Sequence, residues 1–232
     1  MDYMETPLED IVFNVSPDVI DSIKIEASNL SPQKEKEIED LSQVIGNKFI
    51  ELYGEFMSPE KQAMIKEIPH KILVLPSEGF IGYQKAWMKE KTVNNPSTQG
   101  YFTIMGNIIV VDENKAQIKS ERMSRFGAKE TDILSGVIAH EAAHFLENQD
   151  LSLMFKELGA SFYAKNILSK LNKWNLVSRN DLRRVLIYKK LVEKIGTNVH
   201  EVFFGKDTTD ESKYKIYGYL YNIRDELDKI FR

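Results

Sequence analysis

Cysteine is absent from the 232-residue chain, and histidine is scarce, with four residues. The absence of cysteine excludes disulfides and thiolate zinc sites, so any metal would have to be held by histidines and carboxylates. Basic charge is not in surplus either, because 31 lysines and arginines stand against 35 acidic residues and give a net charge of -4. A nucleic-acid partner is therefore not expected.

Long apolar runs are also missing. The hydrophobic stretches are far shorter than the roughly 20 residues that cross a bilayer, so no membrane span is predicted. The N-terminus, Met1 to Thr6, is acidic and lacks the basic segment followed by an apolar one with which a signal peptide begins. We therefore expect a cytoplasmic protein, although a secreted chain whose signal peptide has been removed would have the same sequence.

The hydrophobic pattern predicts a mostly helical α+β protein. Apolar residues recur at intervals of three and four, and proline follows a good N-cap residue at Ser31. An N-terminal helical region is predicted at 1–69, and a second region at 70–232. The spacing predicts the main helices at about 32–57, 131–148, 153–171, 179–194 and 211–231.

Between these helices the hydrophobic period changes. Short β-prone runs bounded by glycine and proline predict strands at 70–76 and 79–83. Two further runs, at 101–105 and 108–112, flank Gly106-Asn107, a pair typical of a two-residue hairpin turn. We therefore predict a small antiparallel sheet within residues 70–112, immediately before the helix at 131–148.

That helix contains the stretch His140-Glu141-Ala142-Ala143-His144. Residues four apart lie on one face of a helix, so His140 and His144 can offer their imidazoles to a single ion. Glu141 is rotated by about 100° from His140, so its carboxylate can flank the ion without binding it. Such groups on a half-buried helix are costly unless something satisfies them. The pattern predicts a metal site, while two ordinarily hydrogen-bonded histidines remain the alternative.

Over about forty residues the chain resembles the zincin metallopeptidases, whose motif is His-Glu-x-x-His. The resemblance implies a Zn²⁺ that lowers the pKa of the water it binds, with Glu141 as the general base. It implies that 70–232 is a zincin-like catalytic domain acting on a peptide or protein. It also implies that the hairpin before the helix pairs with the substrate backbone, although a sheet that only covers the core would have the same pattern.

A catalytic zinc site needs a third protein ligand. If the next helix forms an antiparallel hairpin with the first, Glu157 comes level with His144. Small residues follow it in Leu158-Gly159-Ala160-Ser161 and would let the two helices approach closely. The segment resembles the Glu-x-x-Ala signature of gluzincins, although the spacer of twelve residues is shorter than in most of that group. Asp150 is the alternative third ligand, or else a cap for the next helix.

Several polar side chains have roles that the sequence leaves open. Ser161 can either hydrogen-bond a ligating histidine or simply pack, and Glu147 is expected to be solvated although it shares the face of His144. A hydrogen-bond donor for the transition state is expected among the later histidine and tyrosine residues, which are Tyr163, Tyr188, His200, Tyr214, Tyr217, Tyr219 and Tyr221.

Two other interpretations compete with the peptidase. A catalytically inactive zincin-fold binding or regulatory module would close the metal site with four ligands, which requires both Asp150 and Glu157. A di-iron carboxylate bundle would require a second helical Glu-x-x-His unit. The other match in the chain, Glu67 to His70, contains Pro69 and is not expected to be helical.

Overall fold

The computed structural model of the chain describes residues 31–75, 77–81, 100–103, 108–173 and 179–223. Within these ranges the protein is mostly helical with one small sheet, which confirms the predicted helix-rich α+β class. The helices are α1 (Pro32–Tyr53), α2 (Pro59–Ile65), α3 (Glu113–Met123), α4 (Glu130–Leu146), α5 (Leu153–Lys170), α6 (Arg179–Ile195), α7 (Asn198–Phe203) and α8 (Asp210–Asn222), and the strands are β1 (Ile72–Leu75), β2 (Gly100–Thr103) and β3 (Ile108–Asp112).

The sheet is mixed, with the strands in the order β1-β3-β2. β2 and β3 are antiparallel, with Thr103 opposite Ile108, as the hairpin pattern predicts. The predicted Gly106-Asn107 turn itself lies outside the described residues. β1 and β3 are parallel, with Ile72 opposite Ile109, so the prediction of an antiparallel sheet is wrong for this pair. The pattern of a strand does not show the direction of its partner, and a long connection between two strands permits parallel pairing.

The strand predicted at 79–83 is also wrong for the part that the structure describes, because residues 77–81 are helical. A short apolar run does not distinguish a strand from a buried turn of helix. Here Phe80 is buried, and the Ser77 hydroxyl donates to the Asp112 carboxylate at the end of β3, with Oγ–Oδ1 at 2.8 Å. These contacts hold the segment as a helical turn.

The first helix, α1, and the helix that contains the two histidines, α4, begin at identifiable caps. The Ser31 hydroxyl accepts a hydrogen bond from the Lys34 backbone N–H, and Pro32 opens α1, as predicted. In α4, the Asp132 carboxylate accepts from the Lys129 backbone N–H at 3.0 Å. A carboxylate in the first turn also suits the positive end of the helix dipole. These interactions fix where the helix with the two histidines begins.

The core is shared by helices from both ends of the described chain. Ile45 and Phe49 of α1 belong to the same buried cluster as Ala143 of α4, Tyr163 of α5 and Phe203 of α7. α1 packs against both α4 and α5, and α5 packs against α6. Among the described residues, none of the helices combines the length and apolar character that crossing a membrane requires.

Candidate metal centre

Two helices bring three potential metal ligands together. His140 and His144 project from one face of α4, and their Nε2 atoms lie 3.2 Å apart. From α5, Glu157 places Oε1 3.5 Å from Nε2 of His144 and Oε2 3.8 Å from Nε2 of His140. The proximity of Glu157 to His144 agrees with the predicted helical hairpin. Two imidazoles and one carboxylate therefore converge on one point.

The spacing of these atoms can be tested against a zinc ion. Ligand bonds of about 2.0–2.1 Å in a tetrahedron place the ligand atoms about 3.3 Å from one another. The two Nε2 atoms, 3.2 Å apart, and Oε1 of Glu157, 3.5 Å from Nε2 of His144, are close to that value, and one ligand atom from each of the three residues lies within 4.8 Å of the others. The three side chains are 24%, 12% and 26% exposed, so the cluster remains accessible to solvent. The donor set and the clustering of its ligand atoms fit a metal site, and imidazole and carboxylate ligands are among those that zinc accepts.

Glu147 holds one of the two imidazoles. Its Oε2 lies 2.8 Å from Nδ1 of His144, and its Oε1 lies 3.4 Å from Nζ of Lys156. Because an ionised carboxylate only accepts hydrogen bonds, Nδ1 donates, and Nε2 is left to face His140. A carboxylate on the far nitrogen is the usual support of a metal-binding histidine. The expectation that Glu147 is solvated is wrong, since this residue is buried.

The ligand cluster has strongly perturbed acid-base properties in the metal-free chain. Burial and, to a lesser extent, the neighbouring His144 lower the pKa of His140 to about 4. For His144, burial opposes protonation, but the hydrogen bonds that its ring donates to Glu147 and Glu157 outweigh burial and raise the pKa to about 10. For Glu157, burial favours the neutral acid, but His144, His140 and Arg184 outweigh it and lower the pKa to about 2. The cluster is thus built around one shared positive charge, as a cation site requires.

Glu141 lies between this cluster and the sheet. It follows His140 on α4 and is only 7% exposed. A Cβ on Gly100, the first residue of β2, would lie 3.4 Å from Cγ of Glu141 and 2.4 Å from Cγ1 of Val137. Only glycine lets the strand approach the helix this closely. β2 is paired with β3 alone among the described strands, so an edge of the sheet adjoins Glu141.

The turn that joins α4 to α5 is anchored from two sides. Lys61 of α2 donates from Nζ to the Glu147 carbonyl at 3.0 Å. The Asn148 backbone N–H donates to the Phe203 carbonyl of α7 at 2.7 Å. At the end of the turn, Ser152 caps α5 by accepting from the Phe155 N–H. These contacts fix the geometry that brings Glu157 to the histidines.

Arg184 of α6 completes the group. Its Nη1 lies 2.9 Å from Oε2 of Glu157 and 3.5 Å from Oδ1 of Asp181, one turn earlier on the same helix. The sequence analysis did not identify this residue, which is 27 positions beyond Glu157. An arginine on an amphipathic helix carries no local signal of such a contact, because the contact depends on how α5 and α6 pack.

The remaining sequence candidates lie apart from the ligand cluster. Asp150 is exposed, is not among the clustered ligands and does not cap α5, since Ser152 does. The Ser161 hydroxyl is buried and makes no hydrogen bond within the described part of the chain, so packing is the one of its two possible roles that the structure supports. Among the described residues, no other group of three or more histidine or carboxylate side chains gathers as closely.

The candidate hydrogen-bond donors for the transition state either contact residues outside the ligand cluster or are exposed to solvent. Tyr163 contacts both Tyr188 and His200, with O–O and O–Nδ1 distances of 2.6 and 2.8 Å, and all three are buried. Tyr217 accepts from the Ser152 N–H at 3.0 Å. Tyr219 packs against the core, and two tyrosines are mostly exposed, namely Tyr214 and Tyr221. The hydrogen bonds of Tyr163, His200 and Tyr217 thus lie in the aromatic core or at the start of α5.

No protein-family model, no curated protein and no solved structure matches this chain at a significant level.

Proposed function

We propose that the protein is a zinc-dependent metallopeptidase of the gluzincin type. The observation that carries the proposal is the convergence of His140, His144 and Glu157, whose ligand atoms all lie within 4.8 Å of one another. These residues would hold the ion, and Glu147 would fix the ring of His144. A bound zinc ion supplies a Lewis acid that lowers the pKa of water and polarises a peptide carbonyl.

Glu141 is the proposed general base. It follows directly on His140, so its carboxylate flanks the ligand cluster without belonging to it. The Glu141 carboxylate accepts a proton from the attacking water and later returns it to the leaving amine, so that it ends the cycle ionised. Its low exposure supports this role, because a carboxylate held away from bulk water keeps the proton within the site.

The substrate proposed is an extended peptide or protein segment. The adjoining sheet edge supports this choice, since a peptide can add to an edge strand through backbone hydrogen bonds. β2 begins beside Glu141, so a segment paired with it would pass close to the base. The close approach at Gly100 sets the distance between the strand and the ligand helix.

The proposal is tested by Glu141→Gln in the full chain. We expect this variant and the unaltered protein each to bind one zinc ion per chain. The variant should lose at least about 10³-fold of the hydrolysis of a mixed peptide library, because the base is lost while the ligands stay. Elemental analysis measures the zinc, and mass spectrometry measures the cleaved peptides. Glu130→Gln, at the first residue of the same helix, is the control and should keep both properties.

The outcomes separate this proposal from its alternative. Cleavage by Glu141→Gln at the unaltered rate would end the catalytic role of Glu141. Stoichiometric zinc with no cleavage by the unaltered protein would instead favour a non-catalytic binding or regulatory module. Its closed four-ligand site gains no support here, because Asp150 is exposed and outside the cluster.

A further inference from the structure

Glu157 directs both of its carboxylate oxygens towards the imidazoles. Oε1 is nearer to His144 and Oε2 is nearer to His140, at 3.5 and 3.8 Å from the respective Nε2 atoms. Carboxylates bind metal ions through one oxygen or through both. Binding through both would occupy the coordination position that a zinc hydrolase keeps for water. The site therefore needs something that distinguishes the two oxygens.

Arg184 provides this distinction. Its Nη1 donates to Oε2 of Glu157 at 2.9 Å, a length typical of a charge-assisted hydrogen bond. Asp181 lies 3.5 Å from the same nitrogen and helps to hold the guanidinium in place. The arginine side chain is 22% exposed, so water screens this interaction only partly. Oε2 thus carries a strong hydrogen bond and a neighbouring positive charge, whereas Oε1 faces His144.

We infer that Arg184 is a positioning residue that makes Glu157 a ligand through Oε1 alone and so keeps one coordination position open for water. The inference rests on the proposed function and deepens it, because it assigns the open position to a residue outside the ligand set. Two effects act together. The guanidinium repels a second approach of the cation at Oε2, and its hydrogen bond withdraws electron density from that oxygen.

The experiment compares cobalt-substituted full-length proteins, because the visible absorption of Co²⁺ weakens when its coordination number rises above four. Arg184→Gln should show a clear loss of absorption intensity, and zinc-edge X-ray absorption should show an additional oxygen neighbour. Affinity for the ion should not fall, since Glu157 keeps both oxygens and a repelling charge is removed. Lys189→Gln is the matched control, because Lys189 is an exposed cation on α6 that pairs with Glu193.

Glu157→Ala separates the failure of this inference from the failure of the metal site. Loss of a residue that only hydrogen-bonds a metal ligand lowers metal affinity by roughly 10–100-fold, and Glu157→Ala should lower it by more, because a ligand itself is lost. If Glu157→Ala loses affinity but Arg184→Gln keeps the unaltered cobalt spectrum, or loses affinity as Glu157→Ala does, the role of Arg184 is wrong and the metal site stands. If Glu157→Ala binds the ion as tightly as the unaltered chain does, the proposed centre is wrong. Arg184→Met, of similar length and without the hydrogen bond, gives the same test should Arg184→Gln fold poorly.

Discussion

The chain uses histidine in two contrasting regions, one on α4 and one on α7. In the ligand cluster, His140 and His144 are 24% and 12% exposed and face the carboxylate of Glu157. In the aromatic network, His200 is buried and bonded to Tyr163, which in turn contacts Tyr188. The first region gathers charge around an accessible point, and the second satisfies neutral groups among rings.

The difference shows how partners decide what a histidine does. Burial lowers the pKa of His200 to about 4, so its ring stays neutral, and the Tyr163 hydroxyl satisfies Nδ1. Phe162 stacks on the ring with a centroid distance of 5.9 Å. A network of this kind contributes to stability and to a single packing arrangement. The ligand cluster is instead accessible and charged, and in the metal-free chain the charges of His144 and Glu157 stabilise each other.

The largest effects are expected when one histidine of each region is removed. His140→Ala should lower zinc affinity by more than about 10²-fold, because a ligand disappears, yet change the free energy of unfolding of the metal-free protein by about 1 kcal/mol or less. His200→Ala should do the reverse, costing about 2–5 kcal/mol through a cavity in the aromatic network while zinc stoichiometry stays the same. Calorimetric zinc titration and denaturant unfolding measure the two quantities. Similar effects of both substitutions on both quantities would remove the contrast.

A smaller loss of zinc affinity is expected when the hydrogen bond between Glu147 and His144 in the ligand cluster is weakened. Glu147→Gln should lower zinc affinity by about 10–100-fold, because a neutral amide oxygen accepts more weakly than a carboxylate and polarises the ring of His144 less. Glu201→Gln serves as the control, since Glu201 lies on α7 and pairs with Lys206 at 3.2 Å. Competition with a chromophoric chelator measures both affinities. Equal affinities of the two variants would mean that the contact with Glu147 is incidental.

Gly159 lies on α5 between Glu157 of the ligand cluster and Tyr163 of the aromatic network. A side chain at this position should disturb the aromatic core and leave zinc binding unchanged. A Cβ there would lie 2.1–2.9 Å from ring atoms of Phe203, which is fully buried, so Gly159→Ala should cost about 1–3 kcal/mol by overpacking. Gly218→Ala, at an exposed helical position with no atom within 4 Å, should instead add about 0.5–1 kcal/mol. Thermal and denaturant unfolding give these values. A stable Gly159→Ala protein with weakened zinc binding would show that the regions are coupled.

The last test changes the pH and leaves the sequence unaltered. The raised pKa of His144, about 10 in the metal-free fold, stabilises that fold fully below its unfolded value of 6.5, and this stabilisation is lost as the pH rises through 10. The lowered pKa of Glu157 stabilises the fold above its unfolded value of 4.5, and that contribution is lost as the pH falls through about 2.

The resulting expectation concerns zinc directly. Between pH 7 and 9 zinc must displace a proton from His144, so its affinity should rise by about tenfold per pH unit. Isothermal titration in buffers of different ionisation enthalpy measures the released proton. An affinity that does not change over this range would contradict the shared-charge description of the cluster.

Much of the helical frame was predictable because it depends on local signals. Three-and-four spacing and caps such as Ser31 gave helix positions close to those observed. The pairing of His140 with His144 follows from four-residue spacing on one helix, and the approach of Glu157 follows from the short connection between α4 and α5. Each of these inferences needs only the geometry of one or two adjacent helices.

The features that the sequence analysis missed depend on contacts between segments that are far apart in the sequence or on the path of the chain after a helix ends. The parallel pairing of β1 with β3 requires knowledge of both strands at once. Glu147 is buried although α4 ends just before it, because its carboxylate contacts Nδ1 of His144 and Nζ of Lys156. Arg184 reaches Glu157 only after α5 and α6 have packed. The sequence pattern contains the residues, but not these distances.

The contact between Lys61 and the Glu147 carbonyl bears on how the chain can be shortened. A fragment starting at residue 70 would lack this lysine, together with the apolar face of α1 that completes the common core. The segment joining the two ligand helices would then be released on one side. A minimal fragment for biochemical work should therefore retain α1 and α2, and limited proteolysis between α2 and β1 should impair metal retention even though every ligand lies downstream of the cut.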